Sequence, residues 1–183
     1  MFNLTKLKPL VILVPALLIS ACSEEKQVES VSTSNAQTVD VSQEQLTVAQ
    51  QLKLEVFKSP TCGCCKTWMS HLEQSDFLVN GYDTDELSQI KFDKGIKPQY
   101  QSCHTAISPE GFVFEGHVPA KFIHQFLSEE HGEDVLGLSV PAMPIGSPGM
   151  EMGDKFMPYQ VLLLKADGSA QVYAQLNSYE EQF

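Results

Sequence analysis

Hydrophobic and polar positions repeat with different periods along the chain, and the changes of period mark successive strands and helices. Residues 52–57 alternate apolar and polar side chains, which predicts a strand. Ser59-Pro60-Thr61 ends it, and apolar side chains then recur with helical spacing from 62 to about 74. A short strand at 77–79 and a helix from 84 to about 92 follow in the same way.

The middle of the chain predicts a hairpin followed by a helix. Residues 102–107 and 112–118 have strand character, and Ser108-Pro109-Glu110-Gly111 between them has the composition of a turn. A helix is predicted to begin at Pro119, because proline is favoured in the first turn of a helix.

A loop and a second hairpin complete the pattern. Residues 141–158 contain four prolines and three glycines, which predicts an irregular segment. Two strands at 159–164 and 170–176 are joined near Asp167-Gly168, a strong hairpin signal. The order βαβ-α-ββα predicts an α/β fold with a thioredoxin-like central sheet flanked by helices, to which the loop and the C-terminal hairpin are added.

The first 21 residues are interpreted as a lipoprotein signal peptide. Lys6 and Lys8 precede an apolar run at 10–19. This run is too short to span a bilayer, which takes about 20 apolar residues, and Pro15 interrupts it. The sequence Leu18-Ile19-Ser20-Ala21-Cys22 resembles the lipobox of bacterial lipoproteins. That resemblance implies cleavage before Cys22 and acylation of its sulfur; the alternative is an ordinary free or buried cysteine.

The segment 22–50 is interpreted as a lipidated, flexible tether. It is rich in Ser, Glu, Gln, Thr and Val and has no aromatic residue, so it cannot bury enough apolar surface to offset its conformational entropy. Ser23, rather than aspartate, follows Cys22 and suggests anchoring to the outer membrane. We therefore expect a domain at 51–183 in the periplasm, where cysteines meet an oxidising environment.

Charge excludes one class of function. The 183 residues contain 12 lysines, no arginine and 23 acidic residues, which gives a formal charge of -11. A nucleic-acid-binding protein needs a basic surface to neutralise phosphates, so this class is not expected.

The chemistry is concentrated in Cys62-Gly63-Cys64-Cys65. Cys62 and Cys65 have Cys-x-x-Cys spacing between a strand and a helix, where the helix N-terminus stabilises a thiolate. Cys64 argues against an ordinary dithiol enzyme, because a third adjacent thiol would scramble disulfides. Three sulfurs form a soft donor set suited to Cu(I), zinc or an iron–sulfur centre. The alternative is a plain Cys62–Cys65 disulfide with Cys64 buried.

The predicted hairpin supplies further donors. If its turn centres on 109–110, the numbers of paired residues sum to 219 or 220, so Cys103 lies opposite Gly116 or His117. In a thioredoxin-like sheet this end of the hairpin faces the cysteine turn. We therefore expect Cys103, His104 and His117 to converge on the three cysteines, although each is also explained by ordinary packing.

The 141–158 loop contains methionines whose thioether sulfurs are soft, uncharged donors. We select Met143, Met150 and Met152 as candidate ligands, since 150 and 152 would point the same way in an extended segment. The alternative for each is that it fills a gap in the core.

Four motifs in order carry a resemblance to a known family. They are Cys62-Gly63-Cys64-Cys65-x-x-Trp68, Ser102-Cys103-His104-Thr105-Ala106, Glu115-Gly116-His117-Val118-Pro119-Ala120 and Pro141-Ala142-Met143-Pro144-x-Gly146-Ser147-Pro148-Gly149-Met150-Glu151. Together they resemble the CopG-type periplasmic copper-resistance proteins over about residues 51–176. The resemblance implies a thioredoxin-like fold, copper bound through the cysteine motif, and a role in copper tolerance beside efflux systems. Ala142 stands where glycine is expected.

The resulting hypothesis is a copper-binding protein that holds Cu(I), in one ion or a multinuclear cluster, at the cysteine turn. Its expected partners are copper ions, the membrane through Cys22, and copper efflux components. Two enzymes remain alternatives: a copper oxidoreductase that interconverts Cu(I) and Cu(II), and a thiol–disulfide oxidoreductase. Metal binding without catalysis is favoured over both.

Overall fold

The computed structural model describes residues 52–183. The seven strands are β1 (Lys53–Lys58), β2 (Leu78–Asp83), β3 (His104–Ile107), β4 (Val113–Gly116), β5 (Val135–Val140), β6 (Tyr159–Lys165) and β7 (Ala170–Leu176). The three α-helices are α1 (Gly63–Glu73), α2 (Leu87–Asp93) and α3 (Ala120–Leu127), and short 3-10 helices occupy Pro98–Tyr100 and Tyr179–Gln182. Within these residues, no helix has the length and apolarity to cross a membrane. The predicted signal peptide and tether, with Cys22, lie outside the described residues.

The strands form one mixed sheet in the order β2-β1-β3-β4-β5-β6-β7. The pairs β1–β2 and β4–β5 are parallel, and a helix connects each pair, α1 in the first and α3 in the second. The other neighbouring strands are antiparallel. The predicted α/β fold, with a thioredoxin-like sheet and a C-terminal hairpin, is confirmed.

The core lies between the sheet and the helices. Alternate residues of β1, Leu54 and Val56, are fully buried, as the period-two pattern predicts. They pack in one cluster with side chains of α1 and α3, which are Trp68, Leu72, Phe122, Ile123 and Phe126. This packing fixes α1 against the sheet.

Strand β5 is the one strand of the described part that the sequence did not predict. Gly137 interrupts its apolar run and reads as a loop signal. In the structure Gly137 has φ +144°, and a Cβ there would collide with the Val113 backbone of the neighbouring strand. Glycine therefore permits a close approach inside a strand instead of ending it.

The topology brings several chain segments to one edge of the sheet. Lys58, at the end of β1, pairs with His104 at the beginning of β3. In the β3–β4 hairpin Thr105 pairs with Glu115, so paired numbers sum to 220, one of the two predicted registers. Gly116, at the end of β4, pairs with Val140, after which the 141–158 loop begins.

Candidate metal centre

The cysteine turn forms the beginning of α1. The Cys62 Sγ accepts a hydrogen bond from the Cys65 backbone N–H at 3.3 Å, so this side chain caps the helix. The Cys62 and Cys65 sulfurs are joined in a disulfide, whereas Cys64 and Cys103 are free. The structure thus represents the oxidised state. Two electrons and two protons are needed before all four sulfurs are thiols.

Cys103 lies beside the turn, as the hairpin register predicts. The Sγ atoms of Cys62, Cys64, Cys65 and Cys103 all lie within 4.8 Å of one another. The Cys62 and Cys64 sulfurs are 3.5 Å apart. Atoms this close can share a metal ion or a small group of ions once the disulfide is reduced, because Cu–S and Zn–S bonds are about 2.3 Å long. Their convergence is observed, and their role as ligands stays a prediction.

Two histidines extend the set of donors. Donor atoms of Cys103, His104 and His117 form a second group within 4.8 Å, so Cys103 belongs to both groups. The Cys103 Sγ lies 3.1 Å from His117 Nε2 and 3.3 Å from His104 Nδ1. His117 Nδ1 lies 2.8 Å from the Pro148 carbonyl oxygen, to which it donates. The lone pair of His117 is therefore on Nε2, directed at the cysteine sulfur.

Trp68 fixes one of these histidines. Its ring lies 4.2 Å from the His104 ring between centroids, and its Nε1 donates to the Val118 carbonyl oxygen at 2.8 Å. Both rings are fully buried. The tryptophan of the first motif therefore acts on the site through packing, a contact that spacing along the sequence does not show.

Burial sets the protonation states in the site. Burial lowers the pKa of His104 well below its ordinary value, and His117 and Lys91 lower it further. Burial also lowers the pKa of His117. Burial, followed by the neighbouring Cys64, raises the pKa of the Cys103 thiol to about 12. At neutral pH the imidazoles are uncharged and able to donate a lone pair, and a metal would have to displace the Cys103 proton.

The 141–158 loop packs on the cysteine turn. A Cβ at Gly149 would lie 2.7 Å from the Cys64 carbonyl oxygen and 2.8 Å from the Trp68 nitrogen, and Gly149 has φ +86°. Met150, the next residue, is partly buried. Met143 and Met152 are 47% and 53% exposed. The loop therefore reaches the site, and the three methionines stay predicted ligands.

A buried ion pair beside Cys103 was not predicted. Lys91 from α2 and Glu115 from β4 form it, with side chains 4% and 0% exposed. Burial lowers the pKa of Lys91, and the charges of Glu115 and Cys103 oppose that shift. One signal was available: Glu115 is a charged residue that directly follows the apolar run 112–114 inside the predicted strand 112–118.

Known proteins share the fold of this chain. The family model described as "Protein of unknown function, DUF411" matches residues 100–150, which include Cys103, His104 and His117. Two solved structures of copper resistance protein CopG, form 1 and form 2, are 40% and 39% identical to this chain. They cover 69% and 68% of this chain and 98% of their own, each with a TM-score of 0.64. No curated protein matches significantly. At this identity and coverage, the chain belongs to the family of copper resistance protein CopG.

Proposed function

We propose that this protein binds copper in the periplasm and contributes to copper tolerance by holding Cu(I) at the cysteine turn. The observation that carries the proposal is the convergence of four cysteine sulfurs within 4.8 Å. Thiolates are soft ligands that select Cu(I) over hard cations. The similar structures of copper resistance protein CopG favour copper over zinc or iron–sulfur centres.

The shared position of Cys103 supports more than one bound ion. Its sulfur belongs both to the four-cysteine group and to the group with His104 and His117. A thiolate sulfur has enough lone pairs to bridge two metal ions. We therefore propose a site with a sulfur-rich part and a part completed by imidazole nitrogen, to which the loop methionines add thioether donors.

The proposed location follows from the lipobox-like segment and agrees with the redox state of the site. A Cys62–Cys65 disulfide is stable in an oxidising compartment and is uncommon in the cytosol. Acylated Cys22 would hold the protein at the outer membrane. From there, copper efflux components are the expected functional partners.

The disulfide favours a second candidate, a copper oxidoreductase. Two Cu(II) ions would each accept one electron from the Cys62 and Cys65 thiolates, which yields two Cu(I) ions and the disulfide. Cyclic voltammetry of the copper-loaded protein tests this candidate, since catalysis needs a reversible couple and storage does not. A thiol–disulfide oxidoreductase would instead reduce insulin without copper. Neither copper binding nor copper oxidoreduction requires that reaction.

Copper titration tests the proposed function directly. The mature chain with Cys22→Ser, which keeps it soluble, is reduced and titrated with Cu(I) against a chromogenic chelator. Adding Cys62→Ser and Cys65→Ser should weaken Cu(I) binding by more than about 100-fold, since losing even a residue that only supports a ligand costs about 10–100-fold.

The Cys22→Ser parent is the matched control, because it lacks a cysteine outside the cluster and should bind copper fully. Equal copper stoichiometry and affinity with and without the Cys62 and Cys65 substitutions would contradict the ligand assignment. A parent that binds no Cu(I) would contradict the proposed function itself.

A further inference from the structure

A buried polar cluster lies behind Cys103. Lys91 and Glu115 form an ion pair in it, and Lys91 Nζ also donates to Thr105 Oγ1 at 2.9 Å. Thr105 Oγ1 in turn donates to Glu115 Oε2 at 2.6 Å. Thr105 and Glu115 are fully buried, and Lys91 is 3% exposed. Removing two charges from water is costly, so such a pair is weak evidence for a contribution to stability alone.

The cluster reaches the metal centre through one backbone group. The Ser102 N–H donates to Glu115 Oε1 at 2.6 Å. Ser102 and Cys103 precede β3, which begins at His104, so the strand ladder does not hold them. The carboxylate of Glu115 therefore takes the place of a ladder acceptor for this segment.

The same segment is held on its other side by the 141–158 loop. The Ser102 hydroxyl donates to the Ala142 carbonyl oxygen. Cys103 thus lies between a carboxylate within the sheet and a loop that covers the site. Of these two contacts, the bond to Glu115 is the less exposed one and is charge-assisted, so it is the stronger.

We propose that the Lys91–Glu115 pair is a positioning device for Cys103, in which Glu115 holds the Ser102 N–H and Lys91 neutralises the buried carboxylate. Its importance for copper rests on the proposed function, since that function makes Cys103 a ligand. Without Lys91, an uncompensated negative charge would lie behind a group of thiolates. Without Glu115, the partly buried Ser102 N–H would lose its acceptor, and the segment would turn outward to water.

Two double variants separate positioning from charge. Lys91→Met with Glu115→Gln is uncharged but keeps a carbonyl oxygen for the Ser102 N–H. Lys91→Met with Glu115→Met is uncharged, similar in volume, and has no acceptor. Both are made in the mature chain with Cys22→Ser and kept without reductant, so that Cys64 and Cys103 are the free thiols.

The first measurement is the alkylation rate of each free thiol by iodoacetamide, resolved by mass spectrometry without copper. The glutamine variant should alkylate Cys103 at nearly the parent rate. The methionine variant should alkylate it at least about tenfold faster, because the loss of a hydrogen bond to the Ser102 N–H is worth a factor of that order. Cys64 serves as the internal reference and should change little in either variant.

Leu164→Ala controls for loss of stability alone, since Leu164 is 2% exposed in a separate apolar cluster with Ile96 and Val113. The proposal is overturned if Leu164→Ala raises the alkylation rate of Cys103 as much as the methionine variant does. It is also overturned if Cys103 is alkylated at the same rate in the two double variants. Cu(I) affinity, measured second on the reduced proteins, should fall in the methionine variant and be close to that of the parent in the glutamine variant. If the parent does not bind copper, the proposed function is contradicted. The alkylation rates, which are measured without copper, would still test the positioning of Cys103.

Discussion

At the residue scale, His71 shows how a histidine outside the donor groups is used. Its Nε2 accepts the Ala120 backbone N–H at 3.0 Å, at the beginning of α3. The N-cap residue of that helix, Pro119, makes no side-chain cap hydrogen bond. His71 therefore supplies an acceptor that the helix terminus otherwise lacks, and this requires an unprotonated Nε2.

Protonation of His71 should weaken the fold. Burial lowers its pKa below the ordinary 6.5. At a pH between the lowered pKa of the folded protein and 6.5, the unfolded chain binds a proton that the folded chain does not. The free energy of unfolding therefore falls as the pH drops below 6.5. One such group contributes a slope of at most about 1.4 kcal/mol per pH unit.

Urea unfolding of the copper-free protein between pH 7 and pH 5 measures this effect. His71→Gln keeps an acceptor and does not titrate, so its free energy of unfolding should depend less steeply on pH than that of the parent. Identical pH profiles for the two proteins would show that His71 does not carry the dependence.

At the scale of elements, the contact between α1 and the 141–158 loop decides whether the loop can serve the site. Gly149 leaves no room for a Cβ against the Cys64 and Trp68 backbone, and His117 Nδ1 donates to the Pro148 carbonyl oxygen in the same loop. On the far side, Gln182 Nε2 donates to the Gly146 carbonyl oxygen at 3.0 Å. The loop is thus held at both ends of its central turn.

Gly149→Ala should push the loop away from the helix. Gly153→Ala is the matched control, because Gly153 also has a positive φ, +62°, but a Cβ there meets nothing within 4 Å. We expect both variants to lose about 1 kcal/mol from backbone strain, and Gly149→Ala to lose at least about 1 kcal/mol more from the collision. Urea unfolding measures the difference.

Cu(I) affinity should fall in Gly149→Ala and stay unchanged in Gly153→Ala. Equal affinities would mean that the loop covers the site without contributing donors, and the predicted roles of Met143, Met150 and Met152 would be lost.

At the scale of the whole molecule, the compartment matters as much as the site. Cysteines 62 and 65 form a disulfide in the oxidised form, so supply of electrons controls how many thiolates are available. The proposed lipid anchor would place the site at the membrane, where the proposed efflux partners would act. The proposed anchor at Cys22 and the cysteine turn lie in separate parts of the sequence, so their contributions can be tested separately.

Cys22→Ser should move the full-length protein from the membrane fraction to the soluble periplasmic fraction, because acylation needs the cysteine sulfur. Labelling with a fatty acid analogue should be lost at the same time. Cys64→Ser is the matched control and should remain in the membrane fraction with its label. Membrane association of the Cys22→Ser protein would contradict the lipoprotein assignment.

The local pattern of the sequence was enough to predict most elements and the soft donor set. Period-two alternation located β1, turn residues located both hairpins, and the Asp167-Gly168 turn is observed, with Gly168 at φ +86°. Such features depend on neighbours in the chain, and so does the chemistry of a cysteine-rich turn. Strand β5 was not predicted, because a glycine within a short apolar run indicates a break. Gly137 instead allows close contact with β4, which is a long-range interaction.

Tertiary structure decided the distances and orientations at which the candidate atoms meet. The antiparallel pairing of β1, β3 and β4 carries Cys103, His104 and His117 to the cysteine turn, and the packing of the 141–158 loop orients His117 through the Pro148 carbonyl oxygen. The Lys91–Glu115 pair joins residues 24 apart and is invisible to periodicity. Contacts between distant residues depend on how the sheet is assembled, and no single segment of sequence encodes them.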